Sequence, residues 1–249
     1  FLHLLERRSI PELKPLNERI RQSPATTVAE LTTFMKQANG LGFCLQGPPG
    51  TGKTTVTSEL IAQLVAAGQR VAVSSNSNEA INHVLRKVQL CLEQLGSNAL
   101  VVKADLKQLP DVLGGTVFTL VKEAYDNAPF DLLVIDEAGQ VSLSNLLFMS
   151  KVARNILLVG DQQQLSQPTR ADHPGDSGLS CLNYVMGDHA VVPADRGVFL
   201  ATSWRMPPPL TAVVSELFYE GQLQAAADNA VNRVLWDGQK QGLVFEPVE

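Results

Sequence analysis

The stretch CLQGPPGTGKTT, residues 44–55, constrains this chain more than any other. It fits G-x-x-x-x-G-K-[ST] through Gly47, Gly52, Lys53 and Thr54. An apolar run, Gly42–Leu45, leads into it. A long amphipathic run, Thr54–Ala67, leads out and stops at Gly68. A strand that turns through glycines into a helix curls its backbone N–H groups toward an anion, and the helix adds its positive end. Lys53 is then placed to reach β- and γ-phosphates, and the Thr54 hydroxyl to reach Mg²⁺. The expected cofactors are ATP and Mg²⁺, cradled by Gly47, Pro48, Gly50, Thr51, Gly52, Lys53, Thr54 and Thr55.

A rhythm follows from that loop. Short apolar runs recur at 71–73, 100–102, 132–135 and 156–159, with helical stretches near 54–67, 79–95 and 141–152 between them. Such alternation predicts an α/β fold, a mostly parallel sheet with helices on both faces. Residues 1–40, broken by Pro11, Pro15 and Pro24, read as a lead segment with a short helix over 26–38. The ATPase domain is expected over 41–197, its last part (169–197) a long excursion rich in Pro, Gly and Asp. Residues 198–249 read as a linker and the opening of a second domain.

Two strand ends carry further chemistry. FDLLVIDEAGQ (130–140) delivers Asp136 and Glu137 at the end where open α/β sheets bind ligands. Asp136 is placed to hold Mg²⁺ through its shell, and Glu137 to orient or deprotonate a water. NILLVGDQQQLSQP (155–168) ends on the same side with Gln162, Gln163 and Gln164. An amide both donates and accepts, so Gln164 can touch the γ-phosphate or the attacking water. Gln162 and Gln163 are read as surface or turn residues without a role.

Composition excludes some classes. The chain has 249 residues, 45% of them hydrophobic, enough for a full core. No stretch offers the roughly 18 consecutive apolar residues of a membrane span, so no membrane partner is expected. It opens FLHLLERRSI, without Met or a signal-peptide pattern, and is expected to be part of a longer protein. Three scattered cysteines, Cys44, Cys91 and Cys181, suit a reducing cytoplasm and form no metal site. The net charge of −5 does not advertise nucleic-acid binding.

Taken together, the motifs resemble superfamily 1 helicases, in the branch of the nonsense-mediated-decay RNA helicase and its DNA-processing relatives. GPPGTGKT is similar to their motif I. VAVSSNSNEAINHVL (71–85) is similar to motif Ia: Ser77, Asn78 and Ala80 fit, while Asn76 stands where Pro is usual. DEAGQ (136–140) resembles motif II, including Gln140, and GDQQQL resembles motif III, which makes Gln164 the phosphate sensor. TSWRMPP (202–208) is similar to the family's Tyr-Arg-Met-His-Pro, with Trp204 for Tyr and Pro207 for His, and ELFYEGQL (216–223) follows. GDQQQLSQP, HPGDSGLSCL and DRGVFLATSWRM resemble more narrowly the bacterial proteins that join a RecB-like nuclease to this helicase.

The resemblance implies a first RecA-like domain plus the start of a second. It implies Trp204 stacking on adenine, Arg205 on the γ-phosphate, and catalysis by Glu137, Gln164 and Arg205. It implies a single-stranded nucleic acid, DNA favoured over RNA, tracked 5′→3′ and touched by Ser77, Asn78 and Thr116. The remaining partner is the rest of the polypeptide. Without the opposing domain, the 249 residues are expected to hydrolyse ATP weakly and unwind nothing. Two other readings stand beside this: an ATP-driven switch acting only on protein, and a scaffold whose loop binds nucleotide without turnover.

Overall fold

The computed structural model describes residues 2–103, 109–122, 130–164 and 174–231. The end of the glutamine-bearing stretch (165–168), part of the excursion and residues 232–249 lie outside them. Three helices open the chain: α1 (Leu2–Leu5), α2 (Leu13–Gln22) and α3 (Thr27–Gln37). The main body follows as β1 (Gly42–Gln46), α4 (Lys53–Ala66), β2 (Val71–Ser74), α5 (Asn78–Gln94), β3 (Val101–Lys103) and β4 (Val112–Gly114). It continues with α6 (Val117–Leu120), β5 (Phe130–Ile135), α7 (Leu143–Met149), β6 (Ala153–Gly160), α8 (Cys181–Met186) and β7 (Gly197–Phe199). A small unit closes it: β8 (Thr202–Ser203), α9 (Pro208–Phe218) and β9 (Gln224–Ala225).

Among the described residues, β1 to β7 form one sheet in the order β3-β4-β2-β5-β6-β1-β7, and every ladder in it is parallel. Alternation along the strands divides the core in two. Phe43 and Leu45 of β1, with Leu132 and Val134 of β5, pack under α3, α4 and α5 through Leu31, Leu60, Leu64 and Val84. Cys44, Leu133 and Ile135 face the other way, toward Leu146, Met149, Leu182 and Val185 of α7 and α8. Each fully buried Leu, Val or Phe contributes about 1.5–3 kcal/mol, so both faces are committed to the core. This is the expected RecA-like arrangement, helices on both faces of a parallel sheet.

Several details differ from what the sequence suggests. Leu13, Leu16 and Ile20 of α2 are buried in the same core as Phe43 and Leu45, so the lead segment packs on the sheet. Pro15 does not break α2, because it lies in the first turn, where the missing N–H has no helical acceptor. The stretch near 141–152 divides into α7 and a 3₁₀ turn, Ser150–Val152. The main sheet also runs past residue 197 through β7, which pairs with β1.

Because β1, β5 and β6 are parallel neighbours, their C-terminal ends meet at one edge. That edge gathers the loop after Gln46, the acids after Ile135 and the loop after Gly160.

Candidate nucleotide site

The loop after β1 is held from both sides. Gly47 N–H donates to the Gly160 carbonyl at the end of β6 (3.0 Å), and the Thr51 hydroxyl donates to Pro48 O (2.8 Å). Lys53 Nζ donates to Gly47 O at 2.6 Å, folding the side chain back over the loop. A side chain at Gly47 would collide with the stem of Lys53. Gly50 has φ +80°, and a Cβ there would lie 2.5 Å from Arg205 Cβ. Gly50 O accepts the N–H of Trp204 at 2.8 Å. The phosphate loop therefore needs a left-handed, side-chain-free residue where the later segment docks on it.

A cavity of about 520 Å³ opens over this loop. Lys53, Thr54, Thr55, Glu137, Gln164, Trp204 and Arg205 all line it, as the sequence reading expects of one site. His83 and Lys87 of α5 line it too, which the sequence reading missed. They sit four residues apart, on one helix face, a spacing that signals a shared direction and not what it faces.

Asp136 follows β5 and is 5% exposed. Its N–H extends the β2–β5 ladder to Ser74 O (2.8 Å). Burial pushes its carboxyl up to about 6, the neighbouring Glu137 charge adds to this, and a hydrogen bond from the Glu137 backbone and the charges of Lys53 and Lys87 pull the other way. Its buried Oδ1 has no hydrogen-bond partner among the described residues. An unpaired buried carboxylate oxygen, close enough to feel the P-loop lysine, fits a divalent cation. Glu137 adopts φ 51°, ψ 46°, a left-handed conformation that costs a β-carbon residue about 1–3 kcal/mol. The strain is borne at a residue that faces the phosphate cavity.

The glutamines after β6 separate by their contacts. Gln164 Nε2 donates to Asp161 Oδ2 at 3.2 Å while its side chain lines the phosphate cavity. Gln162 is not an idle turn residue: its Nε2 donates to His189 O (3.0 Å) and Ala190 O (2.7 Å), and its Oε1 accepts from Gln46 Nε2 (2.9 Å). Gln46 is fully buried, donates also to Ala190 O (2.9 Å), and accepts the Val192 N–H (2.7 Å). Two amides thus fasten the 189–192 backbone to the strand ends. The signal for Gln46 was a polar residue closing an apolar strand. Gln163 donates its backbone N–H to Asp161 Oδ1 (3.3 Å).

Trp204 also lines a second cavity of about 320 Å³, on the other side of Thr51, with Ile20, Arg21, Val56 and Gln222. The nucleic-acid candidates lie elsewhere. Ser77 caps α5, its hydroxyl accepting the Ala80 N–H at 3.1 Å, and exposed Asn78 begins that helix. Thr116 precedes α6 and lines a third cavity of about 210 Å³, with Asn76, Phe118 and Gln140. Ser77 and Asn78 do not line it. Asn76 Nδ2 instead donates to Gln140 Oε1, a bond the usual Pro cannot make.

A glycine loop at the end of β1, an acid pair after β5 and an amide after β6, the strand between them, define a RecA-like P-loop NTPase fold. The chain belongs to the AAA domain family, which it matches over residues 28–172. It is similar to the DNA replication ATP-dependent helicase/nuclease DNA2 of Xenopus laevis, 28% identical over 76% of this chain and 20% of that protein. The human protein of the same name is 26% identical over the same shares, 76% and 20%. DNA-binding protein SMUBP-2 of Rattus norvegicus is 23% identical over 82% of this chain and 29% of its own length. The chain thus spans less than a third of these relatives. Among solved structures, the PRRSV helicase is similar over 80% of this chain and 37% of that one, with a TM-score of 0.47 and 17% identity. No helix among the described residues is long and apolar enough to cross a membrane.

Proposed function

We propose that this chain is the ATP-hydrolysing motor domain of a nucleic-acid helicase or translocase, moving 5′→3′ on single-stranded DNA. One observation carries the reading: Lys53, Glu137, Gln164 and Arg205 converge on one cavity over the glycine loop, beside the unpaired Asp136 oxygen. The triphosphate displaces Lys53 from Gly47 O and takes the ammonium on its β/γ oxygens. Thr54 and, through its shell, Asp136 hold Mg²⁺, which supplies charge neutralisation on those oxygens. Glu137 orients and deprotonates the attacking water. Gln164 leaves Asp161 for the γ-phosphate or that water, and Arg205 stabilises charge developing on the transferring group. Trp204 stacks on the adenine, with the 320 Å³ cavity beside it for the base.

Support for DNA comes from the relatives, whose names describe DNA replication and DNA binding. The direction of travel, a RecB-like nuclease elsewhere in the polypeptide and a cytoplasmic location rest on the resemblance and the cysteine pattern. With the opposite wall of the cleft expected on a second RecA-like domain, the 249 residues alone turn ATP over slowly and unwind nothing on this reading. The net charge of −5 favours a second reading, a switch that touches only protein.

The deciding experiment is steady-state ATP turnover by the intact polypeptide with and without single-stranded DNA or RNA. Turnover should rise with DNA and vanish in Lys53→Ala. A rate indifferent to either nucleic acid would favour the protein switch, and no turnover at all would leave a nucleotide-binding scaffold.

A further inference from the structure

Asp161 directly follows β6 and is 3% exposed. Its Oδ2 accepts two side-chain donors: Gln164 Nε2 at 3.2 Å and the Tyr219 hydroxyl at 2.7 Å. Tyr219 directly follows α9 and is 2% exposed, packed with Val191 and Leu223 and facing the Phe199 ring at a centroid distance of 6.0 Å. Burial and the bond to Asp161 push its phenol well above the usual tyrosine range, so it remains a donor at any working pH. The turn behind it is closed by the Tyr219 and Gly221 N–H groups on Ser215 O and by Leu223 N–H on Ser215 Oγ.

The other end of the same unit touches the same site. Arg205 and Trp204 precede α9 and sit on Gly50 of the phosphate loop. Helix α9, 11 residues and so about 16 Å long, spans the distance between the loop that grips the phosphates and the loop that senses them. No sequence motif predicts this join, because Asp161 and Tyr219 are 58 positions apart.

We infer that Tyr219 is a positioning residue for ATP hydrolysis, sharing Asp161 with Gln164 so that movement of the sensor amide and movement of the β8–α9–β9 unit are one event. When Gln164 swings to the phosphate, Asp161 keeps the tyrosine as its side-chain donor and the buried carboxylate stays satisfied. Without the hydroxyl, Gln164 is the one side-chain donor left to Oδ2 among the described residues, beside the Gln163 backbone N–H on Oδ1, and it is held away from the nucleotide. The inference rests on the reading of Gln164 as the sensor.

The test is a double-mutant cycle in the intact polypeptide with Tyr219→Phe, Gln164→Ala and the pair, measuring ATPase kcat and KM with and without single-stranded DNA. Tyr219→Phe keeps the ring and its packing. We expect it to lower DNA-stimulated kcat about tenfold, the rate equivalent of roughly one lost hydrogen bond, with KM for ATP nearly unchanged. The double variant should be no worse than Gln164→Ala, since one residue acts through the other. If Gln164→Ala loses stimulation but Tyr219→Phe keeps it, or the two defects multiply, the join is overturned and the sensor stands. Full stimulation in Gln164→Ala would overturn the sensor reading itself, and the join with it.

Discussion

Asp136 bears a conflict that a change of one atom can expose. Its carboxyl is raised from 3.8 to about 6, chiefly by burial. A raised acid in the folded state binds its proton more tightly than in the unfolded chain. Stability from this group therefore falls as pH rises through about 4 to 6, and the penalty is complete above that window. The displacement is worth about 3 kcal/mol. Asp136→Asn should raise the melting temperature of the nucleotide-free protein at pH 7.5, with the gain fading as pH falls toward 4. The same variant should weaken Mg²⁺-dependent ATP binding. Glu137 divides the labour: Glu137→Gln should hold Mg-ATP with near-normal affinity and lose about 10²–10⁴ in hydrolysis, measured by equilibrium binding beside single-turnover rates. Equal loss of affinity in both variants would dissolve the division. These two residues were legible because each ends an apolar run, and their chemistry is local. Lys87 and His83 were not, because only the fold turns that face of α5 toward the loop.

At the scale of elements, the long helices and the apolar runs that became β2, β3, β5 and β6 were readable, and β4 and β7 were not. β4 and β7 have three residues each, too few for an alternation to show, and their pairing energy comes from neighbours far along the chain. Helix α2 was hidden by Pro15, whose position within the turn decides whether it breaks or begins a helix. The clamp that two amides put on residues 189–192 was likewise unreadable, since its backbone partners lie far along the chain from Gln46 and Gln162. Losing the Gln162 side chain removes hydrogen bonds to two carbonyls, so Gln162→Ala should cost about 1 kcal/mol of stability, at a residue to which the sequence assigns no role in the chemistry. Gln46→Leu strips the buried Val192 N–H of its acceptor and should cost about 1–3 kcal/mol. Gln163→Ala should change little, because its bond to Asp161 uses the backbone. Denaturant midpoints for the three would rank them; a neutral Gln46→Leu would mean that the clamp carries no stability.

For the whole molecule, net charge limits how the proposed nucleic-acid partner can be held. At −5, with hydroxyls and amides as the candidate contacts, few phosphates can be neutralised by lysine or arginine. Each neutralised phosphate adds about 0.7 to the slope of log K against log salt on a single strand. Affinity for a single-stranded oligonucleotide should therefore fall with a slope below about 2 in magnitude, read by fluorescence anisotropy across a salt series. A steep slope would reveal a basic track assembled in space from residues scattered along the chain.

The strand Gly197–Phe199 has a bearing on how this protein can be handled as material. It covers the outer side of β1, where Arg196 O takes the Cys44 N–H (3.1 Å) and Gln46 O takes the Leu200 N–H (2.8 Å). Ending the chain at residue 196 would bare the edge of a strand buried along its whole length. An open, apolar edge recruits the edge of another molecule. Such a truncated protein should self-associate, visible as large species in light scattering, where the same chain carried to residue 231 scatters less. On that expectation, a three-residue ribbon decides whether the truncated chain stays single.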